Sequence, residues 1–202
     1  MTAEAAPYEI SAVLLAAGLS ERMAGANKLL LKVEGTPMVC RTAEAILGCG
    51  VSELVVVLGH DRERIAEAVR GLPCTCVFNA RYADGQMTSV RAGLAAISRD
   101  SDAVMVCLAD QPLLSPEDYR SLILASASIA RGRIAVPTVK GQRGNPIILP
   151  AALKDEVLER GVAFGCRNLI RDNPALVAPV EMHNPNFIRD IDTREAYRAI
   201  IA

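Results

Sequence analysis

Ala12-Val13-Leu14-Leu15-Ala16-Ala17-Gly18-Leu19-Ser20-Glu21-Arg22-Met23 is the stretch that decides the fold. The stretch Ile10 to Ala16, apolar but for Ser11, reads as a buried strand. It runs into two small residues and a glycine, then Arg22, with Lys28 ten residues after Gly18. Gly18 is free to take a positive φ and lets backbone come close to a ligand. Backbone N–H groups in such a turn cradle phosphate oxygens, and Arg22 and Lys28 add full charges. An ordinary strand-to-helix turn with solvated basic residues explains the same letters. Two familiar phosphate loops are absent. Met23 stands where the second glycine of G-x-x-x-x-G-K-[ST] would be, and there is no G-x-G-x-x-G.

Outward from this loop, short β-branched runs alternate with helical stretches. Strands are expected at 54–58, 74–78 and 103–108, and helices at 38–47, 62–70 and 88–97. Ser115 caps a further helix, with Pro116 at its first position. Strands apolar throughout and separated by helices predict a mostly parallel sheet covered on both faces, a three-layer α/β/α architecture of Rossmann-like type. After Arg131 the texture changes. Residues 134–139 and 146–149 are strand-like around Gly141-Gln142-Arg143-Gly144, which predicts a small β-hairpin in the C-terminal half. Helices follow at 151–159 and 165–171, then strands at 176–180 and 187–191 and a last helix from Thr193. With no repeat or linker, residues 1–202 are expected to form a single domain.

Twenty-two basic against 23 acidic residues leave a net charge of −1, so nothing draws the whole chain to nucleic acid or to an anionic membrane. The N-terminal residues do not resemble a signal peptide and no apolar run has the length of a membrane helix, so the cytoplasm is the expected address. The six cysteines form no C-x-x-C pair and have no neighbouring His, which argues against zinc or disulfides. His60 and His183 lack partners in sequence and are read as non-catalytic.

Asp110 ends a buried strand, where open α/β sheets bind ligands. A carboxylate there suits Mg²⁺, or Mn²⁺, sharing its shell with substrate phosphates; it also suits a plain turn before Gln111-Pro112. Asp190 and Asp192 alternate in a strand-like segment, so both point one way, as metal ligands or as a helix cap. Thr88 and Ser89 near a helix start either cap it or hydrogen-bond a base or ribose.

Together these residues carry a resemblance. Leu15-Ala16-Ala17-Gly18-Leu19-Ser20-x-Arg22-Met23 with Lys28-Leu29-Leu30-Leu31 resembles the signature of nucleotidyltransferases with a GT-A-like fold. Within that family the chain is most similar to the molybdenum cofactor cytidylyltransferases and other molybdopterin nucleotidyltransferases. Gly85-Gln86-Met87-Thr88-Ser89-Val90, Leu108-Ala109-Asp110-Gln111-Pro112, Gly144-Asn145-Pro146-Ile147 and Asp190-Ile191-Asp192-Thr193 extend the match along nearly the whole chain.

The resemblance implies a nucleotide held by Leu15, Ala16, Ala17, Gly18, Ser20, Arg22, Lys28, Gly85, Thr88, Ser89 and Asp110. It implies Lys28, Arg22 and Asp110 as catalytic residues. The metal falls to Asp110 and Asp192, with Asp190 as an alternative. The acceptor, a molybdopterin-type phosphorylated compound, falls to Gly144, Asn145, Pro146 and Arg167, although a hairpin turn and a surface arginine explain those four equally well. Leu-Ala-Ala-Gly resembles the cytidylyl members and a second glycine at position 17 the guanylyl ones, so CTP is expected over GTP. A molybdoenzyme client is compatible with this assignment. The alternatives are a guanylyltransferase for the same cofactor, a cytidylyltransferase for a phosphorylated sugar alcohol, a non-catalytic cofactor-delivery protein, and a nucleotide-binding oxidoreductase.

Overall fold

The computed structural model describes residues 8–19, 27–129, 132–159, 170–171 and 174–201. Strand β1 (Ile10–Ala16) is buried along its whole length, as a strand apolar at every position but Ser11 should be. Its side chains alternate between two cores. Ala12, Leu14 and Ala16 join one; Val13 and Leu15, with Ala17 just beyond, join the other.

Two short strands, β2 (Lys32–Val33) and β3 (Thr36–Pro37), form a separate antiparallel pair ahead of helix α1 (Met38–Gly48). Then follow β4 (Glu53–Leu58), α2 (Arg62–Val69), β5 (Thr75–Phe78), α3 (Gln86–Ala96), β6 (Ala103–Leu108) and α4 (Pro116–Ile129). The C-terminal half adds β7 (Ile134–Val139), β8 (Gln142–Arg143), β9 (Ile147–Pro150), α5 (Lys154–Glu159), β10 (Val177–Glu181) and α6 (Arg194–Ile201).

The main sheet runs β10-β7-β9-β6-β1-β4-β5, with β8 paired to β7. β1 is parallel to both β4 and β6, β4 to β5, and β7 to β10. Only β8 and β9 run against their neighbours. Val39, Ala43 and Ile46 of α1, Ile65 and Val69 of α2, and Tyr119 and Leu122 of α4 fill one core. Met87, Val90 and Leu94 of α3 and Val157 of α5 fill the other. This is the expected three-layer α/β/α arrangement with a mostly parallel sheet.

The small antiparallel hairpin expected in the C-terminal half is present, and one local expectation is corrected. β7 turns at Lys140 and Gly141, both at positive φ, into two-residue β8, and β9 returns antiparallel to β7. β9 then crosses to lie between β7 and β6, inside the main sheet. The strand expected at 187–191 does not form. Pro185–Ile188 is a 3-10 turn capped by the Asn184 side chain, which accepts from the Asn186 N–H. Pro185 and the Asn cap favour that turn over a strand ladder. The expected helix at 165–171 lies largely outside the described residues. Among the described residues no helix is long and apolar enough to cross a membrane.

Candidate functional site

The carboxyl ends of β1 and β6 lie side by side, with Leu15 opposite Leu108. The chain passes from β1 to β4 on one side and later returns to β6 on the other, so a crevice opens at this reversal of strand order. It holds a cavity of about 210 Å³ lined by Leu15, Ala17, Gly18, Lys28, Leu29, Tyr82, Gln86, Ser89, Leu108 and Asp110. Six residues expected at the nucleotide are therefore together: Leu15, Ala17, Gly18, Lys28, Ser89 and Asp110.

Lys28 opens a 3-10 turn whose cap is Asn27: the Asn27 side chain accepts from the Leu29 N–H at 3.1 Å. Leu29 is buried and anchors the turn, which delivers the lysine to the carboxylates. Lys28 Nζ lies 2.6 Å from Asp110 Oδ2 and 2.5 Å from Asp192 Oδ1. The lysine side chain is 13% exposed, Asp110 18% and Asp192 41%. Burial pulls the lysine pKa down, but Asp110 and Asp192 outweigh it and the net shift is upward. Lys28 is held as a cation.

The segment carrying Asp192 reaches Asp110 without a strand. The Ile191 N–H donates to the Asp110 carbonyl at 2.9 Å, and Ile191 is fully buried. Thr193, not Asp192, caps α6, accepting the Ala196 N–H at 3.1 Å. Asp192 is left to meet the lysine. Asp190 is exposed over more than a third of its surface, yet its carboxyl is pushed up to about 6, first by burial, then by the charges of Asp110 and Asp192. Its backbone is not in a strand, so the alternation that put both aspartates on one face does not apply.

Asp110 Oδ1 is buried with no hydrogen-bond partner among the described residues. A buried carboxylate oxygen without a partner, on a side chain that shares Lys28 with a second carboxylate, fits a hard divalent cation. Among the described residues no group of three or more His, Cys, Asp or Glu forms a full cage. The chain would thus supply one or two ligands and the phosphates the rest, as Mg²⁺ sites commonly do.

Other expected residues take different places. Gly18 does not use a positive φ; among the described residues nothing lies within 4 Å of where its Cβ would stand, which leaves room for close approach to a ligand. Ala16 turns into the opposite core. Gly85 precedes α3 and does not line the cavity. Thr88 is buried and its hydroxyl lies 2.8 Å from both the Arg81 and the Gly85 carbonyl, either of which accepts its one proton. Gly144 packs against the 187–188 backbone, where a Cβ would stand 2.3 Å from the Phe187 oxygen. The Asn145 N–H donates to that same oxygen at 2.8 Å. Gly144 and Asn145 thus brace the segment leading to Asp192, and with Pro146 they are not among the described residues that line this cavity. Ser20, Arg22 and Arg167 lie outside the described residues. Sequence reasoning missed Tyr82, Gln86 and Leu108 in the wall and Asn79 behind it; Gln86, first in its helix and next to Gly85, was the findable one.

The model of the MobA-like NTP transferase domain matches residues 12–178. The chain belongs to the MobA-like NTP transferase family. Its β1 loop, Lys28 and Asp110 all fall within the matched span. Among relatives of this MobA-like transferase, nicotine blue oxidoreductase of Paenarthrobacter nicotinovorans is 31% identical over 193 residues, 92% of this chain and 93% of that protein. Among solved structures, a nucleotidyl transferase from Methanothermobacter thermautotroptrophicus superposes with a TM-score of 0.80 at 24% identity, covering 96% and 97% of the two chains. CMP:2-keto-3-deoxy-manno-octonic acid synthetase complexed with CTP superposes with a TM-score of 0.74 at 14% identity, covering 95% and 96%. These last two establish the shared nucleotidyltransferase fold.

Proposed function

We propose that this MobA-like nucleotidyltransferase joins the cytidylyl group of CTP to the terminal phosphate of a molybdopterin-type pterin, releasing pyrophosphate. The observation that carries the reading is the charge arrangement at the cavity floor, where Lys28 spans Asp110 and Asp192. The attacking group is a phosphate monoester, with a second pKa of about 6, so it is already an anion at neutral pH. No general base is then required, and no His or Cys lines the cavity among the described residues. Catalysis reduces to placement and charge neutralisation. Lys28 stabilises charge growing on the α-phosphate and the leaving oxygen. Amides of the turn at Ala17 and Gly18 face the phosphates, and Arg22 adds a cation to the β- and γ-phosphates. Asp110 and Asp192 would hold Mg²⁺, or Mn²⁺, which when bound would supply positive charge to neutralise the phosphates. Ala17 is 5% exposed and lines the cavity, and the extra methyl relative to a glycine there supports the smaller pyrimidine over GTP.

The relative named for oxidoreduction favours a second reading, in which the same crevice holds a pyridine nucleotide. A panel of CTP, GTP, UTP and ATP with Mg²⁺ and purified molybdopterin, scored for pyrophosphate, separates the two. Metal-dependent pyrophosphate release with CTP is expected. No release with any nucleotide, together with NAD(P)H fluorescence enhancement on binding, would favour the oxidoreductase.

A further inference from the structure

Asn79 follows edge strand β5 and is 6% exposed. Its backbone N–H donates to the Leu58 carbonyl at 2.9 Å, which fixes it at the end of the sheet. Its amide is oriented by a partner able only to donate: the Arg81 backbone N–H lies 3.0 Å from Oδ1. The amide nitrogen therefore faces two hydroxyls, Thr88 Oγ1 at 2.7 Å and Ser89 Oγ at 3.0 Å. Both hydroxyls accept from it, so both must send their own protons elsewhere. Thr88 has backbone carbonyls to take its proton. Ser89 has no such acceptor among the described residues, is 3% exposed, and lines the cavity beside Gln86.

We propose that Asn79 is a positioning residue that sets the hydrogen-bond polarity of the cavity wall. It holds Ser89 as a donor toward the ligand, which must present an acceptor there. The pyrimidine edge of cytosine, with O2 and N3, meets that demand. This deepens the nucleotide reading above and rests on it. A buried hydroxyl whose proton has nowhere else to go discriminates strongly, because a ligand without the acceptor leaves it unpaired.

Asn79→Asp tests the point with almost no change in shape. It keeps Oδ1 for the Arg81 N–H but replaces the donating nitrogen with an accepting oxygen. Thr88 and Ser89 then donate to the carboxylate, and the cavity loses its donor. CTP binding by calorimetry should weaken about tenfold or more in N79D and in Ser89→Ala. The double variant should bind no more weakly than S89A alone, a coupling that a merely structural role for Asn79 would not produce. Additive losses, or N79D affinity within about twofold of wild type, overturn the inference. If N79D fails to fold, S89A decides: unchanged CTP affinity overturns it. Wild-type protein that binds no nucleoside triphosphate instead overturns the reading underneath, a distinct result.

Discussion

Lys28→Met removes the only charge of a side chain that meets two carboxylates at 2.6 and 2.5 Å. The methionine keeps most of the apolar stem, so the loss is electrostatic. Breaking a buried ion pair by deleting one partner costs about 3–5 kcal/mol. Asp192 is 41% exposed and solvent screens its share, so the estimate here falls to about 2–3 kcal/mol. For a chain of this size each kcal/mol moves the Tm by about 2–4 °C, giving a drop of about 4–12 °C. The sign with pH follows from the raised lysine pKa. The stabilisation is fully present below the ordinary value of 10.5 and disappears as pH climbs through the higher folded value. The gap between wild type and K28M should therefore be flat from neutral to mildly alkaline pH and close only above 10.5. Turnover should fall about 10²–10³-fold, the usual consequence of losing a charge-stabilising donor. Thermal melts across pH and a pyrophosphate assay read both effects. A K28M protein that melts with wild type, or turns over at a comparable rate, refutes the role given to Lys28.

Asp190→Asn should raise the Tm at neutral pH, because the folded state holds that carboxyl's proton up to about 6, against 3.8 for the ordinary group. Its wild-type penalty grows as pH rises from 3.8 to about 6, so the gain should vanish in melts at lower pH; a gain independent of pH would count against this. Ala17→Gly should shift the ratio of CTP to GTP turnover toward GTP by about tenfold, the scale of one methyl in a pocket, as competition kinetics would read. Gly144→Ala places a Cβ 2.3 Å from the Phe187 oxygen, and backbone cannot step aside cheaply. A loss of about 1–3 kcal/mol should appear in denaturant melts, with weakened Mn²⁺ binding as the Asp192 segment shifts.

Much of this architecture is legible because its strands are unambiguous. Ala103–Leu108 throughout, and Ile10–Ala16 at every position but Ser11, are apolar on both faces, as a covered parallel sheet requires. Lys28, Asp110 and Asp192 were singled out by residue type and place, and they meet in space. What the letters hid is long-range. β9 is the antiparallel return arm that its letters suggest, but nothing local says that its other edge pairs with β6, some 40 residues earlier in the chain. Asp190 and Asp192 looked like a strand pair, but a proline and an asparagine cap set a 3-10 turn, and an N–H to the Asp110 carbonyl fixes the approach. Thr88 and Ser89 looked alike; only Asn79, ten residues before Ser89, separates their roles.

The most direct test of the central claim is product analysis by mass spectrometry after mixing the protein with CTP, Mg²⁺ and purified molybdopterin, beside an Asp110→Asn variant. The account predicts molybdopterin cytosine dinucleotide and equimolar pyrophosphate from wild type, both abolished by a chelator and both lost by orders of magnitude in D110N. Dinucleotide formation undiminished by chelator or by D110N, or no dinucleotide from wild type at all, would contradict it.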